Sequence, residues 1–204
     1  MTGHRPRFKE SEMTPRQKFT LLAALVVLIA AVSVAVFSPG VAFVSCLLGW
    51  SMLAIAAVDA EHFIIPDILS LPAIPAGLLI AHGFGSGSTL GSEAVLMNLG
   101  AAALGASALY GIRELYRRWR RREGLGFGDV KLAGAAGAWT GYEGLGHVLL
   151  LSCGLAFLYV LLANARNLRA IEGSTAIPFG VFLGPSTWLV WCASVIAPSP
   201  SVGF

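Results

Sequence analysis

Asp59 and Asp129 stand at the ends of long apolar stretches, in a chain that otherwise keeps its charges out of its apolar runs. A carboxylate at such a boundary is costly and marks a candidate site. Two carboxylates brought together in a sheltered, water-accessible pocket have an economical use. Like charges resist ionising together, so the pair shares a proton and offers an acid and a base at the same pH. The base can draw a proton from water as it attacks a peptide carbonyl, while the acid supports the developing oxygen charge and helps the amine leave. Such hydrolysis requires no metal, cofactor or covalent enzyme intermediate.

The residues around each aspartate leave room for plainer roles. The first region reads Val58-Asp59-Ala60-Glu61-His62-Phe63-Ile64-Ile65-Pro66-Asp67-Ile68-Leu69. Pro66 disfavours helical geometry at Ile65, and Pro72 and Pro75 add interruptions, so the chain is expected to turn near the membrane surface before descending again. Asp67 can cap the following helix with its carboxylate. The second region reads Gly124-Leu125-Gly126-Phe127-Gly128-Asp129-Val130-Lys131-Leu132. Its three alternating glycines permit backbone conformations and close approaches that side chains would block. Asp129 reads either as the cap of the segment it starts or as half of an acid–base pair, and Lys131 either neutralises a nearby carboxylate or marks the interface. The glycine run neither follows a strand nor has a dinucleotide- or phosphate-binding pattern, and its acidic end would repel phosphate. A metal held by Asp59, His62, Asp67 and Asp129 is disfavoured, because one nearby imidazole and no ligand spacing point to zinc.

These residues must be positioned by membrane-embedded elements. Of 204 residues, 56% are apolar and only 12% charged, with a mean hydropathy of +0.74. Such a composition cannot cover a water-facing globule. No Asp, Glu, Lys or Arg occurs in 19–58, 68–92, 94–112, 144–165 or 173–204, and a spanning helix needs roughly 20 mostly apolar residues. The first run breaks at Ser38-Pro39-Gly40 and holds two segments. The sequence predicts an all-α, polytopic helical bundle with about seven membrane segments, near 19–37, 40–58, 68–82, 94–112, 130–142, 145–165 and 177–196. The fifth is short, covering only about 20 Å against a hydrocarbon core of about 30 Å. A basic cytoplasmic tail, 1–18, precedes an embedded domain, 19–204. A cleaved signal peptide is an insufficient reading of the chain start, since further membrane segments follow. Cys46, Cys153 and Cys192 sit in apolar segments without disulfide or metal-ligand spacing,.

Basic residues accumulate on the cytoplasmic side of short loops. With the tail inside, seven crossings leave all 14 Lys and Arg residues inside or at the inner boundary. Omitting the fifth segment would send Arg166 and Arg169 outward. Asp59 and Asp129 then share the cytoplasmic edge. The run Arg117-Arg118-Trp119-Arg120-Arg121-Arg122 is expected to hold a cytoplasmic loop, 113–129, against anionic headgroups, with Trp119 at the interface,. It lacks a nucleic-acid-binding fold.

The chain resembles the prepilin peptidase family, membrane aspartic proteases of the Gly-x-Gly-Asp class. The resemblance rests on Gly126-Phe127-Gly128-Asp129-Val130-Lys131-Leu132, on Asp59 with Ile65-Pro66-Asp67-Ile68-Leu69-Ser70-Leu71-Pro72, and on Ile177-Pro178-Phe179-Gly180, and it is strongest over 43–195. It implies that Asp59 and Asp129 are the catalytic pair, that Asp67 is a recurrent non-catalytic acid, and that Pro66, Gly126, Gly128 and Lys131 support the site. It further implies an inner-membrane peptidase that removes the basic leader of a type IV prepilin or pseudopilin precursor just before its apolar helix, beside lipids and the pilus assembly machinery. Many relatives carry an amino-terminal domain with paired Cys-x-x-Cys motifs and a methyltransferase activity. Here a short tail enters the membrane at Phe19 and neither pair is present, which resembles the peptidase-only members of tight-adherence or Flp pilus systems. Val181 follows Gly180 where many relatives have proline. The alternatives are a proton- or cation-coupled transporter, which also uses intramembrane acids, and an inactive pilus-assembly factor.

Overall fold

Each uncharged run contributes helix among the described residues, because in hydrocarbon a backbone must satisfy its own polar groups,. The computed structural model describes residues 14–84, 88–121, 124–165 and 177–197. Arg5, Arg7 and Lys9 of the tail, and Arg166 and Arg169, lie outside the described residues. Among the described residues every regular element is an α-helix: α1 (Pro15–Val36), α2 (Pro39–His62), α3 (Asp67–Phe84), α4 (Ser88–Arg120), α5 (Phe127–Ala165) and α6 (Gly180–Ile196). Four stretches are long and apolar enough to cross a membrane, namely Pro15–Val36, Pro39–His62, Ser92–Arg120 and Phe127–Ala165. Asp67–Gly83 and Gly180–Ile196 are shorter apolar helices.

The predicted count of seven is not matched. The fifth and sixth segments belong to one helical element, α5, broken at Gly141, whose φ of 66° and ψ of −171° are non-helical. The break reverses the chain. A Cβ on Gly105 would lie 2.6 Å from the Ala133 carbonyl oxygen and 3.2 Å from Leu145 Cδ1, yet in an unbroken helix Ala133 and Leu145 would be about 18 Å apart. The two limbs therefore fold back on each other beside α4. Positive φ is what glycine permits at such a corner, and Asn98 braces it by donating from Nδ2 to the Ala138 carbonyl, 3.0 Å.

The chain divides into two compact units, Met1–Cys46 and Leu47–Phe204. In the first, Thr14 caps α1 by accepting from the Gln17 N–H while Gln17 Oε1 accepts from the Thr14 N–H, and Pro15 occupies the first turn, where its missing donor costs nothing,. Buried Ser33 donates to Ser45 Oγ at 2.8 Å. In the second, α5 packs against α3, α4 and α6. Trp139 joins three of these helices: its indole N–H donates to the Ala73 carbonyl on α3 at 2.8 Å, and its ring meets Trp191 of α6 edge-on at 5.8 Å.

Two local expectations are corrected. α3 runs without a break through Pro72 and Pro75, because a membrane helix can re-satisfy the carbonyls that proline strands. The arginine run, expected as loop, is helix as far as Arg120, where α4 ends, with Glu114 paired to Arg117 at 2.7 Å and Arg118 at 2.8 Å, one turn along the same face,.

Candidate active site

Asp59 sits in the last turn of α2, 5% exposed. The helix stops because Phe63 adopts φ 55°, and its N–H returns to the Asp59 carbonyl at 2.9 Å, the single-bond left-handed cap. Glycine usually fills that position; a phenylalanine there is strained. Ile64 projects outward while Ile65 turns in, 7% exposed. Pro66 then starts α3, its carbonyl accepting from the Leu69 and Ser70 N–H groups at 3.1 Å. Asp67 falls in the first turn of α3 and pairs with Lys131 Nζ at 2.7 Å. Of the two roles open to Lys131, neutralising a carboxylate is the one observed.

Asp129 is the third residue of α5, 7% exposed. Its Oδ2 accepts from the Gly126 N–H at 3.2 Å, half of a capping box. The plain reading of Asp129 as a cap therefore holds for one oxygen only. Oδ1 is buried without a hydrogen-bond partner among the described residues, as is Oδ2 of Asp59. Buried polar atoms are nearly always satisfied, so two orphans at one place call for a bound water or ligand. The glycine loop is held by Arg113, whose Nε donates to the Leu125 carbonyl at 3.1 Å and whose guanidinium lies 5.7 Å from the Phe127 ring.

The third contributor is the start of α6. Phe179 precedes it without a side-chain cap, and the backbone N–H groups of Gly180 and Val181 act on the Asp59 carboxylate instead. A negative group is favoured at this positive helix end. A Cβ on Gly180 would lie 2.8 Å from Asp59 Oδ2, so only glycine lets the helix approach. Ile65 is the wedge between the two loops, for a Cβ on Gly128 would meet its Cβ at 2.7 Å and one on Gly180 its Cδ1 at 3.0 Å.

These elements enclose a cavity of about 290 Å³ lined by Asp59, Asp67, Gly126, Gly128, Asp129 and Lys131, together with Phe63, Ile64, Ile65 and Phe127. Asp59 and Asp129, 70 positions apart in the chain (129 − 59), are near enough for the charge of the first to act on the second. Pro66 does not line the cavity; it acts through the backbone. His62 is exposed and does not line it either, and among the described residues no three His, Cys, Asp or Glu side chains stand together as metal ligands. The contacts by which Ile65, Arg113 and Phe127 hold these loops were not legible in the sequence, although Ile65 and Phe127 fall inside the motifs that carry the resemblance.

Similarity to known proteins accords with this arrangement. Over 148 residues the chain is 36% identical to a prepilin leader peptidase/N-methyltransferase of Pseudomonas aeruginosa, covering 71% of this chain and 48% of the relative. It is 34% identical over 153 residues to the protein of that name from Stutzerimonas stutzeri, covering 74% and 50%, and 32% identical over 186 residues to that of Aeromonas hydrophila, covering 87% and 60%. The chain spans about half the length of the curated relatives it matches. No solved structure matches it. Residues 46–161, which carry both aspartates and the helices that bring them together, match the type IV leader peptidase family, and the chain belongs to that family.

Proposed function

We propose that this protein is a membrane aspartic endopeptidase that removes the basic leader of a type IV prepilin-like precursor at the cytoplasmic face of the inner membrane. The observation that carries the reading is the pair of buried carboxylates from α2 and α5, each with one unpartnered oxygen, on one cavity. The relatives' name, prepilin leader peptidase, supplies the substrate class.

In the proposed reaction one carboxylate is ionised and its partner protonated. Water bound between them loses a proton to the ionised oxygen as it attacks the scissile carbonyl, while the protonated carboxyl donates a hydrogen bond to the oxygen that becomes negative. Collapse of the tetrahedral species passes a proton to the departing amine and restores the pair. Either aspartate can begin as the base. The Gly126 N–H holds Oδ2 of Asp129 and the α6 terminus stands against the Asp59 carboxylate, and one oxygen of each acid remains without a partner. The Lys131–Asp67 pair neutralises the remaining charges on the rim.

The test is co-expression or co-reconstitution with a prepilin, reading leader release by gel shift and intact mass. Asp59→Asn and Asp129→Asn are each expected to lower cleavage by about 10²-fold or more, since each removes a proton-transfer partner. Unchanged processing by both variants would transfer the reading to an assembly factor without catalysis. Cation-dependent flux without cleavage would transfer it to transport.

A further inference from the structure

A second cavity, about 360 Å³, adjoins the first and shares Phe127 and Lys131 with it. Its other walls are apolar: Ile74 of α3, Ala102, Ala103 and Ala106 of α4, and Val130 and Gly134 of α5. Lys131 does not make it polar, because its ammonium is drawn to Asp67 at 2.7 Å and the methylene stem is what remains for the groove. Packing does not demand the smallness of Gly134. A Cβ there would meet Ala106 Cβ at 3.5 Å and the Ala102 carbonyl oxygen at 3.6 Å, ordinary contact distances. At Gly105 and Gly137, by contrast, an added Cβ would collide with the backbone of Ala133 and Ala101. The groove beside Gly134 is therefore not the residue of a tight helix contact, and an alanine there would touch its walls without displacing them.

The α4 and α5 walls belong to stretches long and apolar enough to cross a membrane, and Ile74 comes from the shorter apolar helix α3. The groove begins beside Asp129, whose Oδ1 is buried and unpartnered, and follows α5 to Gly134, about 7 Å further along the helix axis. A single chain filling both cavities must change from a polar peptide link to apolar side chains within about one and a half helical turns. We propose that this groove seats the apolar segment next to the scissile bond of the precursor, with Phe127 as the partition between the bond and that segment; this rests on the peptidase reading above. Catalysis and membrane burial of the substrate are thereby read by adjacent surfaces of α5.

The test uses the full chain in phosphatidylethanolamine and phosphatidylglycerol liposomes with a type IV prepilin. In the Asp129→Asn background, which leaves the precursor intact, a benzophenone amino acid at position 103 is expected to crosslink to the first two turns of the precursor's apolar segment. In the otherwise unaltered chain, Ala103→Phe is expected to lower precursor kcat/KM by at least tenfold. Gly154→Phe, on α5 where nothing stands within 4 Å of an added Cβ, is expected to leave it within twofold. Adducts confined to lipid or to a second copy of this chain, or full processing by Ala103→Phe, would overturn the groove. If the unaltered chain releases no leader while the precursor crosslink persists, the peptidase reading fails and the groove stands.

Discussion

The proposed reaction would give Asp129 two jobs that chemistry can separate, because one oxygen accepts the Gly126 N–H and the other is unpartnered. Asn keeps an acceptor for that N–H, whereas Ala does not. Asp129→Asn should thus retain parental thermal stability in detergent while Asp129→Ala loses about 1 kcal/mol, the usual worth of a helix cap, and both should fail in cleavage. The shared proton also sets the form of the pH profile. Cleavage should fall on the acidic side, where the base is protonated, and on the alkaline side, where the acid is lost; kcat/KM measured across pH would reveal the bell. Phe63 offers a prediction of opposite sign. Its φ of 55° is strained for a bulky side chain and free for glycine, so Phe63→Gly should stabilise the folded protein by about 1 kcal/mol, read as a raised Tm.

Among the helices, α5 carries the site because two other elements touch it too closely to tolerate side chains. The glycines along it divide by function: Gly137 meets the backbone of Ala101, Gly141 turns the corner, and Gly134 lines the apolar groove. Gly137→Leu should destabilise by about 3 kcal/mol or abolish folding, since overpacking against backbone cannot be relieved by a rotamer change. Gly134→Ala should fold like the parent; thermal unfolding of the two variants side by side checks the contrast. The helical continuation of α4 matters for the same reason. It carries Arg113 to the glycine loop, where its bond to Leu125 holds the backbone from which Asp129 begins.

Orientation is a property of the whole chain, and the distribution of Lys and Arg is its main determinant. With the amino terminus inside, a cysteine placed at Glu143, beside the Gly141 corner, should react with a membrane-impermeant thiol reagent in intact cells. One placed at Trp119, 79% exposed on the basic end of α4, should react only after permeabilisation. The reverse pattern would put the aspartate cavity on the outer side and remove the cytoplasmic leader from its reach. The corner matters to this outcome, because an unbroken α5 would carry its carboxyl-terminal limb to the opposite face.

Composition alone established an all-helical membrane protein, since uncharged runs of this length have no other stable form in lipid. The placement of Asp59 and Asp129 at run ends singled out the pair, because a carboxylate beside hydrocarbon is expensive without a purpose. Contacts between distant segments were beyond its reach. That Ile65 wedges between Gly128 and Gly180, that α6 directs its amide end at Asp59, and that Arg113 holds the glycine loop all depend on which helices meet. The same holds for Gly141, where a glycine among many glycines becomes a corner only once both limbs pack on α4. Local pattern decides what each segment is, whereas packing between segments decides which oxygen is capped and which is buried without a partner.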